Sequence, residues 1–199
     1  MKDTRENILL VALHLFAQNG YEAVSVSEIA GELGITKGAL YKHYQSKRDI
    51  FDQIVARMEQ LDGERARAFQ LPEGTLSDMA DAYRAASMEQ MIAFCRAQFR
   101  YWTEEDFPAS FRRMLTLEQY RSEEMAALYQ QYLVSGPLDY VTDLFRSWNV
   151  QNPQKKALEL YAPMFLFYGI YDGAADKSTA TDVFNAHLDG LCAAWEREG

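Results

Sequence analysis

"SVSEIAGELGITKGALYKHYQSKRDIF", residues 25–51, decides the fold. Ser25 followed three residues later by Glu28 spells a capping box, the start of a helix. Ile29, Ala30 and Leu33 give that helix one short apolar face, and Gly34 ends it after about two turns. Only Ile35 separates it from Thr36, an N-cap for a second short helix expected to run through Tyr44. Ser46 caps a further helix, with Asp49 in the acceptor position. Ile50, Phe51, Ile54, Val55, Met58 and Leu61 carry that helix forward. Two short helices joined by a tight turn containing glycine form the helix-turn-helix pattern, whose second helix enters the DNA major groove.

The charge around the second helix agrees. The chain of 199 residues has 20 Lys+Arg against 29 Asp+Glu, a net charge of -9. Yet Thr36 to Arg48 holds Lys37, Lys42, Lys47, Arg48 and His43 with no acid. An acid there would face phosphate. With Leu40 and Tyr44 turned to Ile29 and Leu33, the residues Gly38, Ala39, Tyr41 and Lys42 project outward, and Lys37 flanks the first turn. Small Gly38 and Ala39 let the backbone approach a groove. Tyr41 offers a hydroxyl to phosphate, Lys37 and Lys42 reach phosphates or guanine acceptors, and Lys47 adds a phosphate contact near a helix start. By charge and spacing alone, a solvated basic face stands beside this reading.

Working outward, Ile8, Val11, Ala12, Leu15 and Phe16 recur at helical spacing over residues 4–19, and Gly20 closes that helix. Its apolar run is too short to span a bilayer, and no small-residue cleavage pattern follows, so a soluble cytoplasmic protein is expected. Cys95 and Cys192 are the only cysteines and read as free thiols. Residues 1–50 contain six bases and six acids; all the excess negative charge lies beyond them. The expected organisation is a DNA-binding domain over 1–46 and a larger helical module over 47–199 that begins with the linking helix.

The stretch from Thr4 to Phe51 resembles the N-terminal domain of TetR/AcrR-type transcriptional regulators. The residues that carry the resemblance are Ile8, Ala12 and Phe16, Gly20-Tyr21, Ser25 through Ala30, Gly34 through Tyr41, His43-Tyr44 and Ser46-Lys47. It covers about the first quarter of the chain. The resemblance implies an all-α protein, with a three-helix DNA-binding domain and a C-terminal helical domain that binds a ligand and dimerises. It also implies DNA contacts at Ser27, Thr36, Lys37, Gly38, Ala39, Tyr41, Lys42, His43 and Lys47. Tyr44 departs mildly from the commoner phenylalanine. His43 leaves packing and phosphate contact open beside base reading.

Past the linking helix, five or six further helices are expected. "LPEGT" (71–75) is a joint, and Ser87 with Gln90 starts a helix running to about Thr103. "EEDFPAS" and "SGPLD" are breaks, and Asn152-Pro153 opens another helix with Asn152 as its cap. Pro163 predicts a kink or a second start, and "GIYDGAADKST" is the last turn region. Between Tyr83 and Tyr171 there are 18 aromatics in 89 residues. The stripe Met88, Met91, Ile92, Cys95, Phe99, Trp102 turns one face inward. With Met114 and Tyr168 it is a candidate pocket lining, for which Gln98, Glu118, Tyr120 and Tyr129 are the polar candidates. Ordinary core packing accounts for any one of these residues equally well. The last two helices suit a two-fold interface through Phe165, Phe184, His187, Leu188, Leu191 and Trp195.

The three histidines (His14, His43, His187) are scattered, and no nucleophile elbow or phosphate loop is present. No catalytic residue, metal or cofactor is expected. The expected partners are near-palindromic double-stranded DNA, a second copy of the chain and an unidentified small-molecule inducer. Control by a partner protein is the alternative to the small molecule.

Overall fold

The structure is a computed structural model describing residues 4–72 and 74–198. Eleven helices and no strands occur among these residues. Glu73 of the expected joint lies outside them. No described helix is long and apolar enough to cross a membrane.

The chain forms two compact units. One takes in the described residues up to Glu64 together with Asp106–Tyr129; the other takes in Arg65–Glu105 and the chain from Gln130 onward. The first contains α1 (Thr4–Asn19), α2 (Val26–Glu32), α3 (Lys37–Leu40), most of α4 (Lys47–Ala68), α7 (Asp106–Glu118) and the start of α8 (Glu123–Leu133). α1 packs on α2 and α7, and α2 on α3. Ile8, Ala12, Leu13 and Phe16 of α1 meet Ile29, Leu40, Ile50 and Ile54 in a core with no solvent exposure. Each large side chain withdrawn this way contributes about 1.5–3 kcal/mol of transfer free energy. The second unit contains α5 (Ala80–Ala85), α6 (Met88–Glu104), α9 (Ser135–Ser147), α10 (Pro153–Gly173) and α11 (Lys177–Glu198). α10 is its centre, packed against α6, α9 and α11.

Two of the three capping boxes read from the sequence are complete, and at Ser46 the hydroxyl accepts the Asp49 amide while the Asp49 carboxylate accepts from the Gln45 amide instead. Ser25 accepts from the Glu28 amide while Glu28 accepts from the Ser25 amide, and Ser87 and Gln90 do the same. Elsewhere the structure corrects the expectation. Regular helix at α3 ends at Leu40; the next amides, Lys42 and His43, bond three residues back, so the path to Tyr44 is a tightened turn. Seven helices follow α4 instead of five or six. "EEDFPAS" is a one-residue break at Glu105, because Pro108 falls in the first turn of α7, where a missing N–H costs nothing. "SGPLD" likewise opens α9. A Cβ on Gly136 would lie 2.0 Å from the Gln131 carbonyl oxygen, so only glycine is tolerated there. Asn152 stands at the N-cap of α10 in the left-handed region (φ 53°) and its side chain makes no cap bond. Pro163 lies inside an α10 that runs unbroken, so no second start occurs there.

Candidate nucleic-acid interface

The candidate interface is a thin exposed layer on a buried base. The base is Leu40 and Tyr44, at most 1% exposed, with Ile29 beneath them. The Thr36 hydroxyl accepts from the Ala39 amide and starts α3. The Tyr44 hydroxyl donates to the Arg5 carbonyl, and the Arg5 guanidinium lies 5.2 Å from the Tyr44 ring centre. The end of the recognition segment is thus tied to the start of α1. Burial pushes the Tyr44 phenol above its ordinary pKa, so it remains a hydrogen-bond donor.

On this base Ser27, Thr36, Lys37, Gly38, Tyr41, Lys42 and His43 are exposed together, and Ala39 is half-buried. The Lys37 amine sits 5.8 Å from the Tyr41 ring centre, so the two side chains share one flank. The run Thr36–Arg48 carries no acid, and exposed Glu28 beside Ser27 is turned back onto the Ser25 amide. The arrangement offers two lysines, a phenol, a hydroxyl-capped helix start and a small-residue surface, which suits phosphate contact with base reading.

The structure gives Lys47 a different place from the other DNA candidates. Its amine donates to the carbonyls of Tyr21 (2.8 Å) and Glu22 (3.3 Å), and it lies 4.3 Å from the Tyr21 ring centre. It is therefore a brace between α4 and the turn after α1. Arg48, its neighbour, is also engaged. It forms a fork with Glu124 of α8 (2.5 and 2.8 Å) and a bond to Asp52 (2.6 Å). Hydrogen bonding to those two carboxylates raises the Arg48 pKa, and the Arg48 bond in turn holds Glu124 below its ordinary value.

The expected pocket residues divide between the two units. Met91, Cys95, Phe99, Trp102 and Tyr168 are buried in the second unit, with Met88 and Gln98 half-buried. Gln98 accepts from Arg65 at 2.9 Å. Met114, Glu118, Tyr120 and Tyr129 belong to the first unit. Tyr120 is 89% exposed in the turn after α7, which removes it from any enclosed site. Glu118 is committed to the turn after α1, where it accepts from the Tyr21 amide. Around Phe99 the space is filled by rings: Tyr168 stacked at 6.0 Å, Phe184 at 4.3 Å, Tyr171 at 5.9 Å and Phe167 at 6.4 Å. A groove of about 370 Å³ does occur in the first unit, lined by Arg5, Tyr44, Gln53 and Arg57 among others, and none of the expected pocket residues borders it.

The interface expectation divides as well. Phe184 and Leu188 have no solvent exposure, because they face the unit's own core; they are not available to a second copy. Trp195 is half-buried against Phe145 and donates to Glu159. His187 and Leu191 are half-buried and Phe165 is exposed. The residues missed lie beside Phe165 on α10. Leu158, Leu166 and Ile170 are 53%, 63% and 43% exposed, at helical spacing with Ala162 and Gly169. The all-round apolar run 162–171 was the signal: one side is core, and the other is this stripe. Cys95 and Cys192 are free thiols; burial pushes Cys95 up to about 12, so it is an unreactive core residue. Among the described residues no group of three or more His, Cys, Asp and Glu is placed to hold a metal.

Comparison with known proteins agrees with this geometry. Residues 8–54 match the family described as "Bacterial regulatory proteins, tetR family". The chain is 42% identical over 69 residues to the HTH-type transcriptional regulator AcrR of Shigella flexneri, an alignment covering 35% of this chain and 32% of that protein. The similarity thus spans about a third of that relative and concerns its reading head. Over nearly the whole chain the fold is similar to SmeT, described as the repressor of the Stenotrophomonas maltophilia multidrug efflux pump SmeDEF. The TM-score is 0.62 at 19% identity, covering 97% of this chain and 90% of that one. A SmeT–triclosan complex gives 0.64 at 17% identity, with 96% and 90% covered. AcrR is described as a transcriptional regulator and SmeT as a repressor. Residues 8–54 thus carry a tetR-family segment, and nearly the whole chain has a fold similar to that of SmeT.

Proposed function

We propose that the chain is a cytoplasmic, dimeric repressor that binds a near-palindromic operator and is released by a largely apolar or aromatic ligand. The observation that carries DNA binding is the acid-free exposed layer Ser27, Thr36–Gly38 and Tyr41–His43 on a fully buried base. In this reading residues 1–46 are the DNA-binding domain and residues 47–199 the ligand and dimer domain. The exposed α10 stripe, with half-buried His187 and Leu191 on α11, is the surface a second copy covers. Two copies then present their recognition helices about 34–36 Å apart, one DNA turn.

Ligand binding is assigned to the second unit, whose aromatic and methionine side chains around Phe99 can rearrange. A ligand releases the operator only if it prefers the form that does not fit DNA. Operator DNA then weakens ligand binding by the same factor by which ligand weakens DNA binding. A second reading, control by a partner protein, draws on the ring packing around Phe99, which already fills that space. Selection of bound DNA from a random pool tests the first claim. Titrating the selected operator with a screened aromatic ligand tests the second. Equal ligand affinity for free and DNA-bound protein rejects the ligand reading and leaves the partner reading standing.

A further inference from the structure

We infer that Glu118 is a positioning residue for the reading head, acting on DNA affinity from a place where it meets no DNA. The inference rests on the DNA-binding reading above.

Glu118 closes α7 and is 2% exposed, an unusual place for a carboxylate. Its Oε1 accepts the Tyr21 amide at 3.0 Å across 97 residues of chain. The same oxygen occupies the room above Gly20: a Cβ built there would lie 2.7 Å from it. Gly20 also has φ +84°, which L side chains rarely adopt. The turn after α1 is therefore shaped to receive this carboxylate.

The residue it grips is a junction. The Tyr21 amide goes to Glu118 of α7, and the Tyr21 carbonyl takes the Lys47 amine of α4 at 2.8 Å. The ring stands edge-on to Phe16 of α1 (5.1 Å) and Phe51 of α4 (5.2 Å). Four residues on, Ser25 starts α2, which carries α3 on its other side. One residue thus sets the relation of α1, α4 and α7 immediately before α2 and α3. A hydrophobic contact would tolerate sliding here; a charged acceptor on a single amide fixes direction and distance. Withdrawing that acceptor leaves a part-buried amide unpaired and lets the turn re-orient the base of α2 and α3.

The test uses the full chain and the operator selected from a random pool, with affinity referred to the DNA-competent fraction found by stoichiometric titration. Glu118→Ala is expected to weaken operator binding about tenfold, the scale of one lost hydrogen bond to a charged group. The slope of log affinity against log salt stays unchanged, because no phosphate contact is removed. Glu118→Gln keeps an acceptor oxygen and restores wild-type affinity. Amide exchange at Tyr21 speeds up in the alanine variant and not in the glutamine one. Should the alanine variant not fold, Glu118→Asp, one methylene shorter, gives the same loss in smaller measure. A merely structural role would lower the competent fraction and leave its affinity unaltered; that result overturns the inference, as does a changed salt slope. A wild-type protein that selects no DNA overturns the DNA-binding reading itself. A wild type that binds, with variants that bind equally well, overturns only the role of Glu118.

Discussion

The two units mix polar and aromatic joints in different proportions. In the first, the joints are directional and polar: Glu118 on the Tyr21 amide, Lys47 on the Tyr21 carbonyl, Tyr44 on the Arg5 carbonyl, His14 on Asp106 at 2.7 Å. In the second, polar joints such as Arg96 on Asp189 and Tyr161 on the Leu133 carbonyl surround a larger ring cluster, with Phe99 among Phe167, Tyr168, Tyr171 and Phe184, and Phe145 between Trp148 and Trp195. A hydrogen bond specifies distance and angle, whereas ring contacts trade one geometry for another at small cost. Under the proposed function, a surface that matches DNA needs the former, and a body that accepts a ligand is served by the latter. Each of the following substitutions strains one side of that contrast.

The largest effect is expected inside the aromatic unit. Leu188→Glu places an unpaired charge where the side chain has no solvent exposure. It should cost roughly 4 kcal/mol or more and unfold the second unit. Loss of the cooperative thermal transition, followed by circular dichroism, is the check. A folded monomer from this variant would return Leu188 to the interface.

Next in size is assembly. Leu166→Glu alters a side chain that is 63% exposed, so the fold should survive. Equilibrium sedimentation should then report half the wild-type mass, with operator affinity lower because one half-site binds alone. An unchanged mass would move the interface away from α10.

The contrast also explains what could be read in advance. Local signals held: the Ser25–Glu28 and Ser87–Gln90 boxes, the stop at Gly20 and the bounds of α1 need only a few neighbouring residues. Periodicity told which face of α11 is apolar. It did not tell whether Phe184 and Leu188 are covered by the same chain or by a second copy, since both give the same spacing. Asn152 had the letter of a cap without its geometry. Glu118 was legible only as a polar candidate for the pocket. Its partner is 97 residues away, and no local pattern announces such a pairing. Lys47 was legible as a cation but not as a brace, because the carbonyls it meets belong to the turn at residues 21–22.

That brace gives the third prediction. Lys47→Met keeps the aliphatic stem and removes the donor to two carbonyls, one of them part-buried. A cost of about 1–3 kcal/mol to the first unit is expected. DNA affinity should fall alike for all sequences, with the salt slope unaltered. A slope flattened by about one unit would assign the amine to a phosphate instead.

The smallest effect belongs to the neighbouring fork. Arg48 and Glu124 have the better geometry, two bonds at 2.5 and 2.8 Å, yet their side chains are 54% and 47% exposed. Water and salt screen such a pair, so Glu124→Gln should cost no more than about 1 kcal/mol, and less as salt is raised. Its pH dependence separates charge from packing. The Arg48 hydrogen bond lowers the Glu124 pKa from its ordinary 4.5, so the folded state holds the carboxylate ionised more firmly than the unfolded chain does. The stabilisation is therefore fully present above that ordinary value and is lost as pH falls through the lower folded value. Arg48, with its pKa raised, stays charged throughout. Thermal denaturation of wild type and Glu124→Gln should differ by a constant amount at neutral pH, and the two should converge in acid. A difference that survives in acid would mean that Glu124 holds α8 by its stem and not by its charge. The fork would then belong with the ring contacts of the second unit, not with the polar joints of the first.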